Sequence, residues 1–413
     1  MSNNKTSLFV SNDGMTDPLG QSQVLPYLCG LSKNGYTIFL LSCEKEEAFK
    51  NGKNIIQKIC DENNITWYPI KYYNKPPIVA TFFNLIRLNN LAKKLVAKHN
   101  IQLLHCRSYF CALIGLGFKQ KHGKKFLFDM RGFYANERVD GNIWPQSSFI
   151  YRKIFEYFKS KEIEFCENAD YTISLTHNGK DEIHSWQKVK NNPIPIQIIP
   201  CCADLDFFSR KHVNAAEVTR LKKQLNITEN DYVISYLGAI GTWYLTDEML
   251  AFFRCLEQKK NNAVFLIITA ENPDIVYASA QKQGINKNNI RVIKASRNEV
   301  VQLLSFCNFS IFFIMPAYSK KASSPTKLGE LLSMGIPVIC NGNVGDVEQI
   351  INSSETGIVI NKFDDETYYE TIAKMDDFAS IDIAKRAEKV KDFFDLKSGI
   401  EKYTSVYKKI LGE

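Results

Sequence analysis

The chain has 413 residues, of which 45% are hydrophobic, 12% aromatic and 23% charged. That is too long for one ordinary core and too apolar for a disordered chain, so two domains of about 200 residues each are expected. The formal charge of +8 suits a protein that handles phosphate or touches an anionic surface, and is too small to argue nucleic acid as a partner.

Eleven cysteines, none in a CxxC pair, lie mostly in apolar runs and read as reduced, buried thiols of a cytoplasmic protein. The N-terminal segment MSNNKTSLFV is polar and then strand-like, without the pattern of a signal peptide. No apolar run approaches the roughly 20 residues of a membrane span. The expected location is the cytoplasm, with the inner face of the plasma membrane as an extension of it.

Residues 7–11 read as a buried strand, 13–20 as a Gly-bearing loop, and 21–33 as one helix stopped by Asn34 and Gly35. Strand-like runs recur at 36–43, 66–70, 101–104, 125–129, 171–175 and 196–200, with helical stretches between them. After a polar stretch near 201–212 a second alternation begins, with strands at 232–237, 264–269, 290–294, 309–314 and 337–340. Strands alternating with helices predict parallel sheets covered on both faces. The expected fold class is therefore α/β, two Rossmann-like domains facing across a cleft. The boundaries are 1–205 for an N-terminal acceptor domain and 206–395 for a C-terminal donor domain. The last segment, 396–413, is a helix crossing back to the N-terminal domain, with Tyr403, Val406 and Tyr407 on one face.

The segment 320–337 carries the most chemistry. Ser324 is a good N-cap, Pro325 suits the first helical position, and Leu328, Leu331 and Leu332 make an apolar stripe ended by Gly335 and Pro337. The free N–H groups at such a helix start attract an anion. Lys327 adds a cation, and Ser323, Ser324 and Thr326 add hydroxyls. Glu330 lies one turn on, where a carboxylate would repel phosphate but accepts hydrogen bonds from the vicinal hydroxyls of a ribose. Phosphate donors beside a sugar acceptor spell a nucleotide; the bland alternative is a capped helix with a surface Lys–Glu pair.

The run SPTKLGELLSMGIPVI resembles the donor-site signature of retaining family-4 glycosyltransferases of the GT-B fold. Residues 13–23 (DGMTDPLGQSQ) and 129–138 (DMRGFYANER) look like N-domain motifs of a bacterial subgroup, and 199–208 (IPCCADLDFF) looks like the family's interdomain element. The resemblance implies transfer of a hexosyl or N-acetylhexosaminyl group, with retention, from a nucleotide-diphosphate sugar. The implied acceptor is a glycan or lipid-linked glycan of bacterial surface polysaccharide or glycoconjugate assembly. No metal or other cofactor is implied, because members of the fold neutralise the leaving diphosphate with helix dipoles and basic side chains. Two departures stand out. Ala322 occupies the place of the first Glu of the family's Glu-x7-Glu pair, and residues 239–245 lack the Arg and Lys that members place near the diphosphate.

The remaining candidates follow from position. Gly241 and Thr242, after a strand, let backbone approach a diphosphate; many strand–helix turns carry Gly for other reasons. Gly20 at a helix start and Arg297 are further donor contacts. Arg131 and Glu137 follow the 125–129 strand; Arg131 is expected to orient donor or acceptor and Glu137 to accept the acceptor proton, a structural Arg–Glu pair being the alternative. Arg107 is expected on the acceptor side, and His105 is read as a satisfied core histidine. Arg131, Glu137 and Lys327 form the catalytic set. Residues 82–99 form a basic amphipathic helix with Lys93, Lys94 and Lys98 on its polar side. The ordinary reading is a helix covering a sheet, and the other a peripheral contact with an anionic membrane. A nucleotide-sugar epimerase of the same fold and a non-catalytic nucleotide-sugar-binding protein are the competing functions.

Overall fold

Short runs rich in β-branched and aromatic residues form thirteen strands among the described residues, 5–379 and 383–413 of this computed structural model. Every strand-to-strand pairing is parallel. The chain divides into two compact units. The first is residues 1–201, 321–323 and 396–413; the second is 202–320 and 324–395.

In the first unit the strands are β1 (Thr6–Ser11), β2 (Thr37–Glu44), β3 (Ile65–Lys71), β4 (Leu103–Arg107), β5 (Lys125–Asp129), β6 (Tyr171–Ser174) and β7 (Ile196–Ile198). Their order is β3-β2-β1-β4-β5-β6-β7. β1 is buried at every position, as a strand covered on both faces must be. In the second unit β8 (Tyr232–Leu237), β9 (Ala263–Ile268), β10 (Ile290–Ile293), β11 (Phe309–Phe312), β12 (Val338–Asn341) and β13 (Gly357–Ile360) run in the order β10-β9-β8-β11-β12-β13. Each order reverses once, between β1 and β4 and between β8 and β11. In an open parallel sheet the crevice at the carboxyl ends of two such strands is where ligands bind.

Three expectations are corrected. The single helix 21–33 is two, Pro18–Gln23 and Leu25–Lys33, broken at Val24 (φ −130°, ψ −63°). Pro26 has no N–H to donate back along the helix, so the chain restarts there. The strand expected at 101–104 is β4, Leu103–Arg107, so His105 and Arg107 lie inside a strand rather than beyond it. β13 is an unforeseen sixth strand; Gly357 meets Val338 so closely that an added Cβ would sit 2.0 Å from its carbonyl oxygen.

The C-terminal helix, Leu396–Leu411, belongs to the first unit and packs on the Leu25–Lys33 helix. Gly30 permits this approach, since a Cβ there would lie 2.6 Å from Ile400. Tyr403, Val406, Tyr407 and Ile410 are buried, and the Tyr407 hydroxyl lies 2.9 Å from His105 Nδ1. Tyr407→Phe should lower the stability of this unit by about 1 kcal/mol through the lost hydrogen bond, and Tyr407→Ala by about 3–5 kcal/mol through the cavity. Urea unfolding followed by tryptophan fluorescence would measure both; equal effects would contradict this packing account.

Candidate functional site

The second unit builds its site at the β8/β11 reversal. After β8 the chain turns through Gly238 (φ +137°), Gly241 (φ +85°) and Thr242 (φ +49°). A β-branched residue with positive φ is a strained conformation that surrounding contacts must impose. Here Leu245 N donates to Phe313 O at 3.0 Å and Met315 N to Trp243 O at 2.8 Å, pinning the turn to the chain leaving β11. Asn341 clamps the same chain from β12: Ile314 N donates to its Oδ1 at 2.7 Å and its Nδ2 to Ile314 O at 2.9 Å.

Under this turn lies Lys327, on the helix Thr326–Ser333, only 7% exposed. Its Nζ donates to the Tyr236 hydroxyl at 3.2 Å and stands over the rings of Tyr244 (3.7 Å) and Tyr236 (4.3 Å). Among the described residues no carboxylate forms an ion pair with it. Burial therefore drives its pKa well below the usual lysine range, against a weak opposing pull from Glu330. A glycine suits φ +137° at 238, and a Cβ there would also lie 2.6 Å from the Lys327 Nζ. The amino group is thus held by π faces and one phenol, with donor capacity left over.

The helix start differs from expectation by one residue. Pro325 is the N-cap (φ −66°, ψ 116°) and Thr326 the first helical residue, and no side chain caps the end. The tight turn in which Leu328 N bonds Pro325 O moves the start past the proline. Ser324 is therefore not the cap, and among the described residues no side chain accepts from the first-turn amides. Ser324 belongs to the second unit and Ser323 to the first.

Glu330 follows Lys327 by one turn. Its carboxyl is raised to about 7 by burial, which outweighs the opposite pull of Arg297 and Lys327. Among the described residues it has no hydrogen bond or ion pair. Arg297, the first residue of the helix Arg297–Leu304, stacks over Phe207 at 4.2 Å and lies within electrostatic reach of Glu330. The structure thus associates Arg297 with the carboxylate rather than with Lys327.

The first unit places a second polar cluster at its own reversal, between β1 and β4. Arg107, 3% exposed, is bonded through Nε to Asp13 at 3.2 Å and lies 3.6 Å from Asp129. Arg131 sits in the left-handed region (φ +59°), 3.8 Å from Asp129 Oδ1, with Nη2 on Cys201 Sγ at 3.3 Å. The Tyr403 hydroxyl donates to Asp129 Oδ2 at 3.2 Å. Burial would raise the Asp129 carboxyl, but Arg131, His105 and Arg107 hold it at about 2. Arg131 Nη1 and His105 Nε2 are buried with no hydrogen-bond partner among the described residues. Glu137 lies half-buried on the short helix Tyr134–Asp140. Gly20, in the first turn of Pro18–Gln23, meets Gly14 so closely that a Cβ would fall 2.2 Å from its carbonyl oxygen.

Sequence reasoning missed Glu44. This carboxylate, 2% exposed at the end of β2, accepts from Met15 N, Thr16 N, Thr16 Oγ1 and Ser42 Oγ and so fixes the 13–20 loop. It also missed Tyr236 and Tyr244. A tyrosine inside β8 and a glycine just after it are visible in the sequence, but only the fold shows that both serve Lys327.

A family model described as Glycosyltransferase Family 4 matches residues 23–207, and one described as Glycosyl transferases group 1 matches 217–377. The chain belongs to the GT-B glycosyltransferases. Its fold resembles that of a sucrose-phosphate synthase from Thermosynechococcus elongatus, with TM-score 0.71 and 14% identity over 98% of this chain and 99% of that one. A glycosyltransferase from Rickettsia africae superposes with TM-score 0.70 and 16% identity over 99% of both chains. The Anabaena protein HepE, solved in complex with UDP and glucose, superposes with TM-score 0.67 and 11% identity over 97% of this chain and 98% of that one. No curated protein matches the sequence. Among the described residues no helix is long and apolar enough to cross a membrane, and no group of three or more His, Cys, Asp or Glu could hold a metal ion.

The electrostatics of Glu330 give a stability test on this glycosyltransferase. A carboxyl raised from 4.5 to about 7 on folding contributes stability in full below pH 4.5 and loses it as pH rises to 7. Above pH 7 the ionised, desolvated group is a net cost. Glu330→Gln should raise ligand-free stability by about 1–3 kcal/mol at pH 8 and by much less at pH 5. Thermal melts at the two pH values check the sign; destabilisation at pH 8 would contradict the assigned environment.

Proposed function

We propose that this glycosyltransferase moves a sugar from a nucleotide-diphosphate sugar to a glycan acceptor, with retention of anomeric configuration. The observation that carries the proposal is Lys327: a buried amine that, among the described residues, has no carboxylate partner, at a helix start without a side-chain cap and one turn before a carboxylate that no described residue bonds. A diphosphate supplies the counter-charge this lysine lacks, and the first-turn amides and the backbone at Gly241 and Thr242 supply further donors. Thr326 adds a hydroxyl there, and Glu330 receives the ribose hydroxyls with Arg297 beside it. HepE holds UDP and glucose, which supports a UDP-sugar as donor.

As the glycosidic bond breaks, its electron pair passes to the leaving diphosphate, where Lys327 and the helix dipole stabilise it. The acceptor hydroxyl attacks from the same face and gives its proton to the departing phosphate oxygen. No metal is needed for this step. Arg131, kept charged and aimed by Asp129, orients the acceptor, with Arg107 setting the Asp13 loop and Glu137 on the neighbouring helix as the alternative proton acceptor. The acceptor class that fits the motifs is a surface polysaccharide or glycoconjugate of a bacterium.

A thermal-shift screen of nucleotide-diphosphate sugars tests the donor site. Ligand at about 100 times its Kd should stabilise the second unit by about 2.7 kcal/mol. Lys327→Ala and Glu330→Ala should each weaken the best ligand roughly 10- to 100-fold, as the loss of charge-assisted bonds requires. Unchanged affinity in both variants would remove the donor site. With a donor identified, NMR of the product decides the stereochemistry; an inverted anomeric centre would refute the same-face mechanism.

A further inference from the structure

The helix Pro77–His99 buries Ala80, Asn84, Leu88, Ala92 and Leu95 against the sheet of the first unit. Its first half should then present a polar outer face. Instead Val79 is 63%, Phe82 61%, Phe83 46% and Ile86 55% exposed. They fall at i, i+3, i+4 and i+7, one contiguous apolar strip. The lysines Lys93, Lys94 and Lys98 continue the outer face beyond it, all exposed. The strip is also firmly mounted. The buried Asn84 amide donates to Tyr73 O at 2.7 Å and accepts from Tyr73 N at 3.1 Å, fixing the preceding loop to the helix.

A second apolar tip lies on the same layer. The helix Phe149–Asn168 exposes Phe149 (64%), Ile150 (59%) and Tyr157 (47%), and Ile143 in the preceding turn is 43% exposed. The helix Ser108–His122 contacts both helices and joins them side by side. All three connect parallel strands and run back from the strands' carboxyl ends, so both tips stand at one end of one layer. Scattered exposed apolar residues need no explanation; two strips at the same end do.

The charge around them selects the partner. Residues 63–128 contain eleven Lys and Arg and no Asp or Glu, more positive charge than the +8 of the entire chain. Arg107 is buried, and Lys71, Lys119 and Lys125 are paired with Glu46 and Asp170. Lys75, Lys93, Lys94, Lys98 and Lys121 remain exposed, and Lys124 is half-buried. At the second tip Arg152 and Lys153 lie against Phe149, Lys153 also meeting Glu156. Apolar tips set in a basic surface, acid-free over residues 63–128, match an anionic lipid bilayer, whose headgroups take the cations and whose acyl region takes the aromatic side chains.

We infer that this protein docks peripherally on anionic membranes through the tips of the Pro77–His99 and Phe149–Asn168 helices. The contact lies at the carboxyl end of the first sheet, the end that carries Arg107, Asp129 and Arg131, so a docked enzyme meets acceptors carried by lipid. The docking itself stands apart from the donor chemistry proposed above.

Flotation of the full chain with vesicles tests it. With phosphatidylcholine vesicles containing about one-third phosphatidylglycerol, the protein should float at low salt, and do so at least tenfold less with pure phosphatidylcholine or at high salt. Phe82→Ser combined with Ile86→Ser, and separately Phe149→Ser with Ile150→Ser, should each reduce partitioning at least tenfold without shifting the melting temperature, since these side chains are exposed. Lys93, Lys94 and Lys98 changed together to Glu should also reduce it. No flotation with the anionic vesicles would overturn the inference. So would apolar variants that float like the parent. A dimer in sedimentation that the Phe82/Ile86 variant dissociates would assign the strip to a second copy and overturn it equally.

Discussion

A lysine ammonium taken out of water without a counter-charge is the constraint on which the second unit is built. Lys327 could have been placed on the surface at no cost. Instead Tyr236 and Tyr244 wall it in, Gly238 is kept free of a side chain so that it fits, and the turn above it holds Thr242 in a strained conformation. Such an arrangement costs the ligand-free protein stability, because a desolvated cation is worse off than in water. It gains in return an amino group that becomes a cation as a phosphate arrives, with a field not spent on an internal partner. Preorganised charge of that kind acts most strongly on the group that develops negative charge during reaction, which in a glycosyltransferase is the departing diphosphate.

The two units solve the charge problem in opposite ways. In the second, Lys327 and Glu330 are left with no ion pair among the described residues, and both pKa values move toward neutrality. In the first, Asp129 gathers Arg131, Arg107 and His105 and is held at about 2, so the cluster keeps its charges. One site is poised to receive charge from a ligand; the other is internally compensated and rigid, with Tyr403 and Tyr407 of the C-terminal helix anchored in it. Both sit at the strand-order reversal of their own sheet, where a parallel sheet leaves a crevice.

Much of this was legible in the residues. The alternation of short apolar strands and helices carried the two-sheet architecture, and the strand 125–129 was placed to the residue. The Lys327–Glu330 spacing followed from helical periodicity alone. What the sequence could not show was tertiary. Pro26 split a helix whose apolar pattern was continuous. The proline at 325 reads as a first helical residue, yet the tight turn onto Leu328 makes it the cap. Glu44 lies one residue beyond the expected strand 36–43, and only folding brings Met15, Thr16 and Ser42 to it. The basic character of 82–99 was plain, but the apolar strip at 79–86 became informative only once the opposite face was seen to be the buried one.

The central claim is that Lys327 awaits a phosphate to restore its charge. Calorimetric titration of UDP at pH 8.5, repeated in buffers of different ionisation enthalpy, measures it directly. At that pH Glu330 and the phosphates are ionised before and after binding, so proton uptake reports the lysine. The account predicts net proton uptake on binding, abolished in Lys327→Met. Binding without proton uptake would show that Lys327 either carries its charge already or does not meet the diphosphate, and the account of the site would fail.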